Sequence, residues 1–147
     1  MPTRRDLLIG AGAIALLPSR AAATPQQRDR EITHLTGGAP VSNDSRVTLT
    51  IPALAENGLS VFTTVRVASP MTPDDYVKRI HILVERNPIS RLLTWHLSPA
   101  SGVAKVSTNI RLAATQEVTA LVEMSDGSFL QDRKTVVVTV AACIDGR

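Results

Sequence analysis

From residue 47 onward the chain is a series of short strand-like runs with turn residues between them. Val47-Thr-Leu-Thr-Ile51 alternates and ends at Pro52. The next run puts Leu59, Val61, Thr63, Val65 and Val67 on one face, and Pro70 and Pro73 break the chain before Tyr76. Arg79 to Glu85 follows, and Asn87-Pro88 separates it from Leu92 to Leu97. Val103 to Leu112, Val118 to Met124 and Phe129 to Ala141 complete the series, with turns at Ser101-Gly102 and Ser125-Asp126-Gly127-Ser128. No stretch between these runs carries a helical period. About seven strands at this spacing predict an immunoglobulin-like antiparallel β-sandwich. With a single cysteine, no disulfide can join the two sheets, so packing alone must hold them. Aromatic residues make up only 3% of the chain, which leaves that packing to Val, Ile and Leu.

Ahead of the strands, Gln26 to Leu35 reads as a short helix stopped by Gly37-Gly38. Before it, Arg4-Arg5 and an apolar stretch from Leu7 to Leu17 lead to Ala21-Ala22-Ala23, the plan of a cleavable signal peptide. The apolar stretch is shorter than the ~20 residues a membrane span needs. Thr3-Arg4-Arg5-Asp6-Leu7-Leu8 has the form of a twin-arginine signal, the favoured reading, with an ordinary secretory signal that happens to contain two arginines as the alternative. Either predicts export to the periplasm, with no membrane attachment after cleavage. The expected organisation is a signal peptide over 1–23, a helix and linker over 24–38, a sandwich over 39–141 and a tail over 142–147.

Cleavage changes the charge argument. The signal removes Arg4, Arg5 and Arg20 against Asp6, leaving 13 basic and 12 acidic residues of the original 16 and 13. A near-neutral domain without a basic stripe or stacking aromatics has no nucleic-acid footprint.

Chemistry has few candidate residues. His34, His81 and His96 lie far apart and lack the close spacing of metal ligands, so neither a metal site nor a cofactor is expected. His81 and His96 fall on one face of their strands with mixed neighbours, a structural placement. Asp74-Asp75 and Ser125-Asp126-Gly127 read as turn chemistry. No Gly-x-Ser-x-Gly elbow or phosphate-cradling loop occurs. What remains is Cys143, the lone thiol of an exported chain. Such a cysteine is kept for a bond to another molecule or for chemistry of its own. Its place in the last few residues favours an exposed, reactive thiol. If the last strand instead continued, Cys143 would share a face with Val137, Thr139 and Ala141 as a small apolar filler. Asp145 and the terminal carboxylate disfavour the thiolate, and Arg147 offsets part of that.

Several motifs together resemble the SoxY family, the sulfur-carrier subunit of the periplasmic thiosulfate-oxidising (Sox) system. They are Ile51-Pro-Ala-Leu-Ala-Glu-Asn-Gly58, Ser69-Pro-Met-Thr-Pro-Asp-Asp-Tyr-Val-Lys-Arg-Ile-His-Ile82 and Asn87-Pro88. Val106-Ser-Thr-Asn-Ile-Arg-Leu-Ala113, Thr115-Gln116 and Met124-Ser-Asp-Gly-Ser-Phe129 continue the likeness. The resemblance implies a heterodimer with a SoxZ-like sandwich subunit. It also implies sulfur intermediates held covalently on Cys143 and passed to partner Sox enzymes, so that the chain is a carrier and not itself an enzyme. Family members present their cysteine on a Gly-Gly-Cys-Gly-Gly tail, slender and free to bend. Here Ala141-Ala142 precede Cys143, and Ile144-Asp145-Gly146-Arg147 follow it. Ile144 is β-branched and bulky, and two added charges are costly to carry into a narrow channel. That departure keeps a second reading in view: a non-catalytic interaction module that has the sandwich but has lost carrier chemistry. A third, a cysteine-nucleophile enzyme, would need a base positioned beside Cys143.

Overall fold

A computed structural model describes residues 23–139 of the chain; the signal segment through residue 22 and the tail bearing Cys143 lie outside the described residues. The helix α1, Pro25–Thr36, is one residue longer at each end than the sequence pattern indicates. Thr24 caps it, accepting from the Gln27 N–H while the Gln27 side chain accepts from the Thr24 N–H, and Pro25 occupies the first turn. Gly37 closes it in the left-handed region at φ 62°, a conformation that strains any residue with a Cβ.

Among the described residues nine strands follow: β1 (Val41–Asn43), β2 (Val47–Thr50), β3 (Leu54–Ala55), β4 (Val61–Val67), β5 (Val77–Val84), β6 (Arg91–His96), β7 (Lys105–Ile110), β8 (Gln116–Met124) and β9 (Phe129–Val138). They form two sheets, ordered β1-β9-β8-β5-β6 and β2-β4-β7, as the sandwich reading requires. The long pairings β4–β7, β5–β6, β5–β8 and β8–β9 are antiparallel. Two short pairings are parallel. β1 lies beside the start of β9, and β3 beside its end, so the outer edge of β9 is covered in two pieces. On the same flank the Leu49 N–H of β2 donates to the Asp132 carboxylate at 2.8 Å, joining the small sheet to β9.

Between the sheets, Leu49, Val61, Val65 and Ile110 of the small sheet meet Ile80, Ile82, Val122 and Val136 of the large one. The alternation predicted for β4 holds for Val61, Thr63, Val65 and Val67, all buried. Leu59 does not join them: it precedes the strand, has no partner on β7, and is 46% exposed. The large sheet carries a smaller apolar patch on its other face, among polar residues such as His81, Thr119 and Gln131. There α1 lays Ile32 on Leu83, Leu121 and Phe129, with Leu35, Ala39 and Val41 at the margin. This explains why Ile80 to Val84 and Val118 to Met124 are buried without a break.

Charge fastens the helix at one end of that face. Arg28, only 6% exposed, reaches Glu85 at 3.1 Å and also pairs with Glu117, which in turn meets Arg133 at 3.4 Å. A guanidinium so buried is held because the half-buried carboxylates of Glu85 and Glu117 meet its charge.

Candidate functional site

Thr139, just past the end of β9, is the last described residue before Cys143. Around it stand the connections β3–β4, β5–β6 and β7–β8, all at one end of the sandwich. The end of β9 is bonded on both sides. On one side the Val137 N–H donates to the Ala53 carbonyl at 2.8 Å and the Thr139 N–H to Ala55 at 3.0 Å. The Thr139 hydroxyl adds a bond to the Glu56 carbonyl at 3.1 Å. On the other side the Val138 N–H donates to Thr115 Oγ1 at 3.0 Å.

The loops around this exit are tied to one another by two buried amides. Asn87, 6% exposed, donates from Nδ2 to the Arg111 carbonyl at 2.7 Å. Its Oδ1 accepts from the Ala113 N–H at 3.0 Å and from Gln116 Nε2 at 2.8 Å. Gln116, 2% exposed, accepts on Oε1 from the Glu85 N–H at 3.2 Å and the Arg86 N–H at 2.8 Å. The Ala23 N–H donates to the Asn87 carbonyl at 2.7 Å, and the Leu112 N–H to that of Gly58 at 2.8 Å, which draws the start of α1 and the β3–β4 loop into the same cluster. Buried amides with every group partnered fix loop geometry, because any other arrangement strands a polar group away from water. The sequence motifs 51–58, 87–88, 106–113 and 115–116 meet here. The remaining motifs, 69–82 and 124–129, meet at the opposite end, where the Tyr76 N–H donates to Ser125 Oγ at 3.1 Å. Sequence reasoning missed β3 and the Thr115 anchor: two residues of strand have no period to detect, and a side-chain acceptor for a strand N–H has no signature.

Cys143 lies outside the described residues.

The histidines are placed elsewhere. His81 and His96 share the helix-side face of the large sheet, with His96 opposite Arg79 and His81 opposite Thr94. His81 is 2% exposed, and its Nδ1 lies 2.9 Å from Thr94 Oγ1. Burial first, then the charges of Arg79 and Arg91, push its pKa down to about 4, so the ring is neutral at neutral pH. His96 is exposed, as is His34 on α1. Among the described residues no group of three or more His, Cys, Asp or Glu is arranged to hold a metal ion, and no helix is long and apolar enough to cross a membrane. Asp126 and Asp75 sit in turns: Asp126 accepts from the Ser128 N–H at 2.9 Å, and the Asp75 N–H donates to Thr72 Oγ1 at 3.2 Å.

Comparison with known proteins bears on this geometry. No curated protein matches the chain. Among solved structures it is similar to the sulfur carrier protein SoxY from Chlorobium limicola f thiosulfatophilum. The two are 24% identical with a TM-score of 0.64, over 75% of this chain and 90% of that one. It is also similar in fold to the superoxide reductase (neelaredoxin) of Ignicoccus hospitalis, at 15% identity and TM-score 0.58 over 80% of this chain and 94% of that one. The superoxide reductase from Nanoarchaeum equitans gives 10% and 0.56, over 66% and 100%. At these identities the likeness is one of fold. The family model of the sulfur oxidation protein SoxY is a match of sequence, and it runs over residues 32–143, from α1 through the whole sandwich to the cysteine itself. The chain belongs to the SoxY family of sulfur oxidation proteins.

Proposed function

We propose that this protein is a periplasmic sulfur carrier of thiosulfate oxidation, holding sulfur intermediates covalently on Cys143 and presenting them to partner enzymes. The observation that carries the reading is the extent of the family match, which ends on residue 143. Its physical support is the contrast between a strand bonded through Thr139 and a thiol placed four residues later. A carrier needs a fixed base and a short projecting arm. Loading joins the Cys143 sulfur to the outer sulfur of thiosulfate in an S–S bond. The thiol gives up its proton, and two electrons pass to an acceptor in the loading enzyme. Partner enzymes then oxidise and hydrolyse the adduct, and Cys143 returns as the thiol. A SoxZ-like sandwich subunit completes the heterodimer.

Intact mass tests this directly. After exposure to thiosulfate and its partner enzymes, the protein should gain a sulfur-sized addition that reductant removes and that Cys143→Ser lacks. An unchanged spectrum sinks the carrier reading. The bulky Ile144 beside the thiol favours one alternative, an interaction module without carrier chemistry. Wild-type sulfur-dependent growth of Cys143→Ala would support that module.

A further inference from the structure

Beside α1, at the margin of the large sheet formed by the edge strand β6, lies a groove of about 490 Å³. Arg79 and His81 of β5 line it with Arg91, Thr94 and His96 of β6, and Leu35 of α1 adds an apolar wall. The strand ladder is what gathers these basic groups. Arg79 and His96 are direct partners, His81 and Thr94 are the next pair on that face, and Arg91 pairs with Leu83, two residues beyond His81. His81 thus stands between two arginines, each about 7 Å away along the ladder. Both charges are felt at its ring.

Neither arginine is used up by its carboxylate. Arg79 meets Glu123 and Arg91 meets Glu31, in each case through Nε. Their terminal Nη1 and Nη2 groups have no partner among the described residues. Glu123 is shared with Lys78 at 3.3 Å, so Lys78, Arg79 and Arg91 face only Glu31 and Glu123. A surplus of one positive charge remains before either histidine takes a proton.

His81 makes this more than a basic patch. It is 2% exposed, its Nδ1 is bonded to Thr94 Oγ1 at 2.9 Å, and its Nε2 has no hydrogen bond among the described residues. Nε2 is not sealed in, because Thr119 Oγ1 is the one fully buried side-chain polar atom without a partner among those residues. The unmet nitrogen therefore opens onto the groove that its ring lines. A polar atom left unmet in a buried setting is costly, and a ligand that meets it recovers the loss. When Thr94 donates its hydroxyl proton to Nδ1, the ring carries its own proton on Nε2 and presents an N–H donor.

From this we infer that the groove binds a small divalent tetrahedral oxyanion of the sulfate type, held by the Nε2–H of His81 at its floor, the free Nη groups of Arg79 and Arg91 at its sides and His96 at its rim. Donors at several levels suit oxygens that point in several directions, which a tetrahedral oxyanion offers and a planar carboxylate does not. Guanidinium forks match such oxygens in pairs. The apolar walls of Leu35, Leu92 and Leu93 strengthen the field inside the groove. Sulfate, thiosulfate and phosphate share this chemistry. The inference stands whether or not Cys143 carries sulfur.

The test titrates the purified protein with sulfate, thiosulfate and phosphate at neutral pH and constant ionic strength, following the His81 and His96 rings by NMR. Acetate and chloride are the planar and the monovalent controls. At least one of the three oxyanions should saturate the site, shift both rings and hold the His81 proton on Nε2, read from the shifts of the two ring nitrogens; the tightest of them identifies the source. Arg91→Gln, at a side chain 44% exposed, should weaken binding about tenfold, and His96→Gln about threefold. Lys105→Gln, an equal loss of charge on the small sheet, should stay within twofold of wild type. Arg79→Gln should match Arg91→Gln, since Lys78 still meets Glu123, and either answers the question if the other fails to fold. No saturation by any of the three, equal binding of acetate or chloride, or an equal loss in Lys105→Gln would overturn the site. So would a His81 ring that does not respond to the bound oxyanion or keeps its proton on Nδ1.

Discussion

The two ends of the sandwich are built by different means. At the far end, bonds close over short separations. Arg46 bonds Asp44, Ser128 bonds Asp126, the Met71 N–H finds Ser69 Oγ, and the Ser98 N–H finds Ser101 Oγ. Among the described residues the longer side-chain ties there are Ser125, which bridges to Tyr76 and Asp74, and Glu123, which pairs with Lys78 and Arg79 across the adjacent strands. At the tail end most side-chain bonds between loops are long-range: Asn87 to Arg111, Ala113 and Gln116, Gln116 to Glu85 and Arg86, Thr115 to Val138, and Thr139 to Glu56. A turn that satisfies itself can fray without disturbing its neighbours. A set of loops that satisfy one another holds or opens as a unit. The difference suits a carrier, whose arm must start from a fixed point while the rest of its chemistry is done by others.

The largest effect that tests this contrast is Asn87→Ala. It removes three side-chain bonds and leaves the Ala113 N–H buried without its partner. Stability in urea should fall by about 3 kcal/mol. Ser125→Ala, its nearest counterpart at the far end, should cost about 1 kcal/mol. Equal losses would mean that the two ends are stitched alike and would break the comparison.

His81 stands between the ends and tests whether they fail together. Its folded pKa, about 4, is below the ordinary 6.5 because the ring is buried near Arg79 and Arg91, with only Glu123 opposing them. Between these values the unfolded chain takes up a proton that the folded protein refuses. Stability is therefore full above pH 6.5 and lost as pH falls toward 4, by at most roughly 3 kcal/mol. His81→Gln should flatten urea-unfolding stability across that range. Because the loss is global, amide exchange in acid should quicken at both ends of the wild-type protein together. Protection lost at one end alone would show that each end opens independently of the sheet between them.

These contrasts also mark what was legible in the chain. The period of two in Val47–Thr50 and Val61–Val67 was readable because one face of the small sheet meets the core and the other meets water. The large sheet hides its pattern. Burial along Ile80 to Val84 and Val118 to Met124 does not alternate, and the covering of the second face was not foreseen from the sequence. The cover was α1, whose weak apolar stripe shows only Ile32 and Leu35 to the sheet and whose Arg28 is buried by charge, against the usual habit of arginine. Histidine placement followed from strand parity, since register alone puts His81 and His96 on one face. The base of the arm did not follow. Its anchors, Thr115 and the two-residue β3, are single contacts between distant segments, and a sequence read locally has no means of pairing them. Cys143 was legible as a lone thiol by position, and the family match reaches it.

The smallest effects separate the two kinds of stitching most cleanly. Thr115→Val replaces the acceptor of the Val138 N–H with a methyl of nearly equal size, at an exposed position where water can partly substitute. The expected cost is about 1 kcal/mol, felt locally as roughly fivefold faster hydrogen exchange of the Val138 amide. Because that bond shares its loop with Gln116, the Arg86 amide should quicken as well. Asp126→Ala is the matched change at the far end. Its carboxyl is held below the usual carboxylate range by the Ser128 hydroxyl and N–H, so near neutral pH the turn loses a charged acceptor. The Ser128 amide should exchange faster, with the melting temperature indistinguishable from wild type and the Glu85 and Arg86 amides unmoved. If Asp126→Ala loosens amides at the tail end, or Thr115→Val moves Val138 alone, the far end is not self-contained, or the tail end is not a unit.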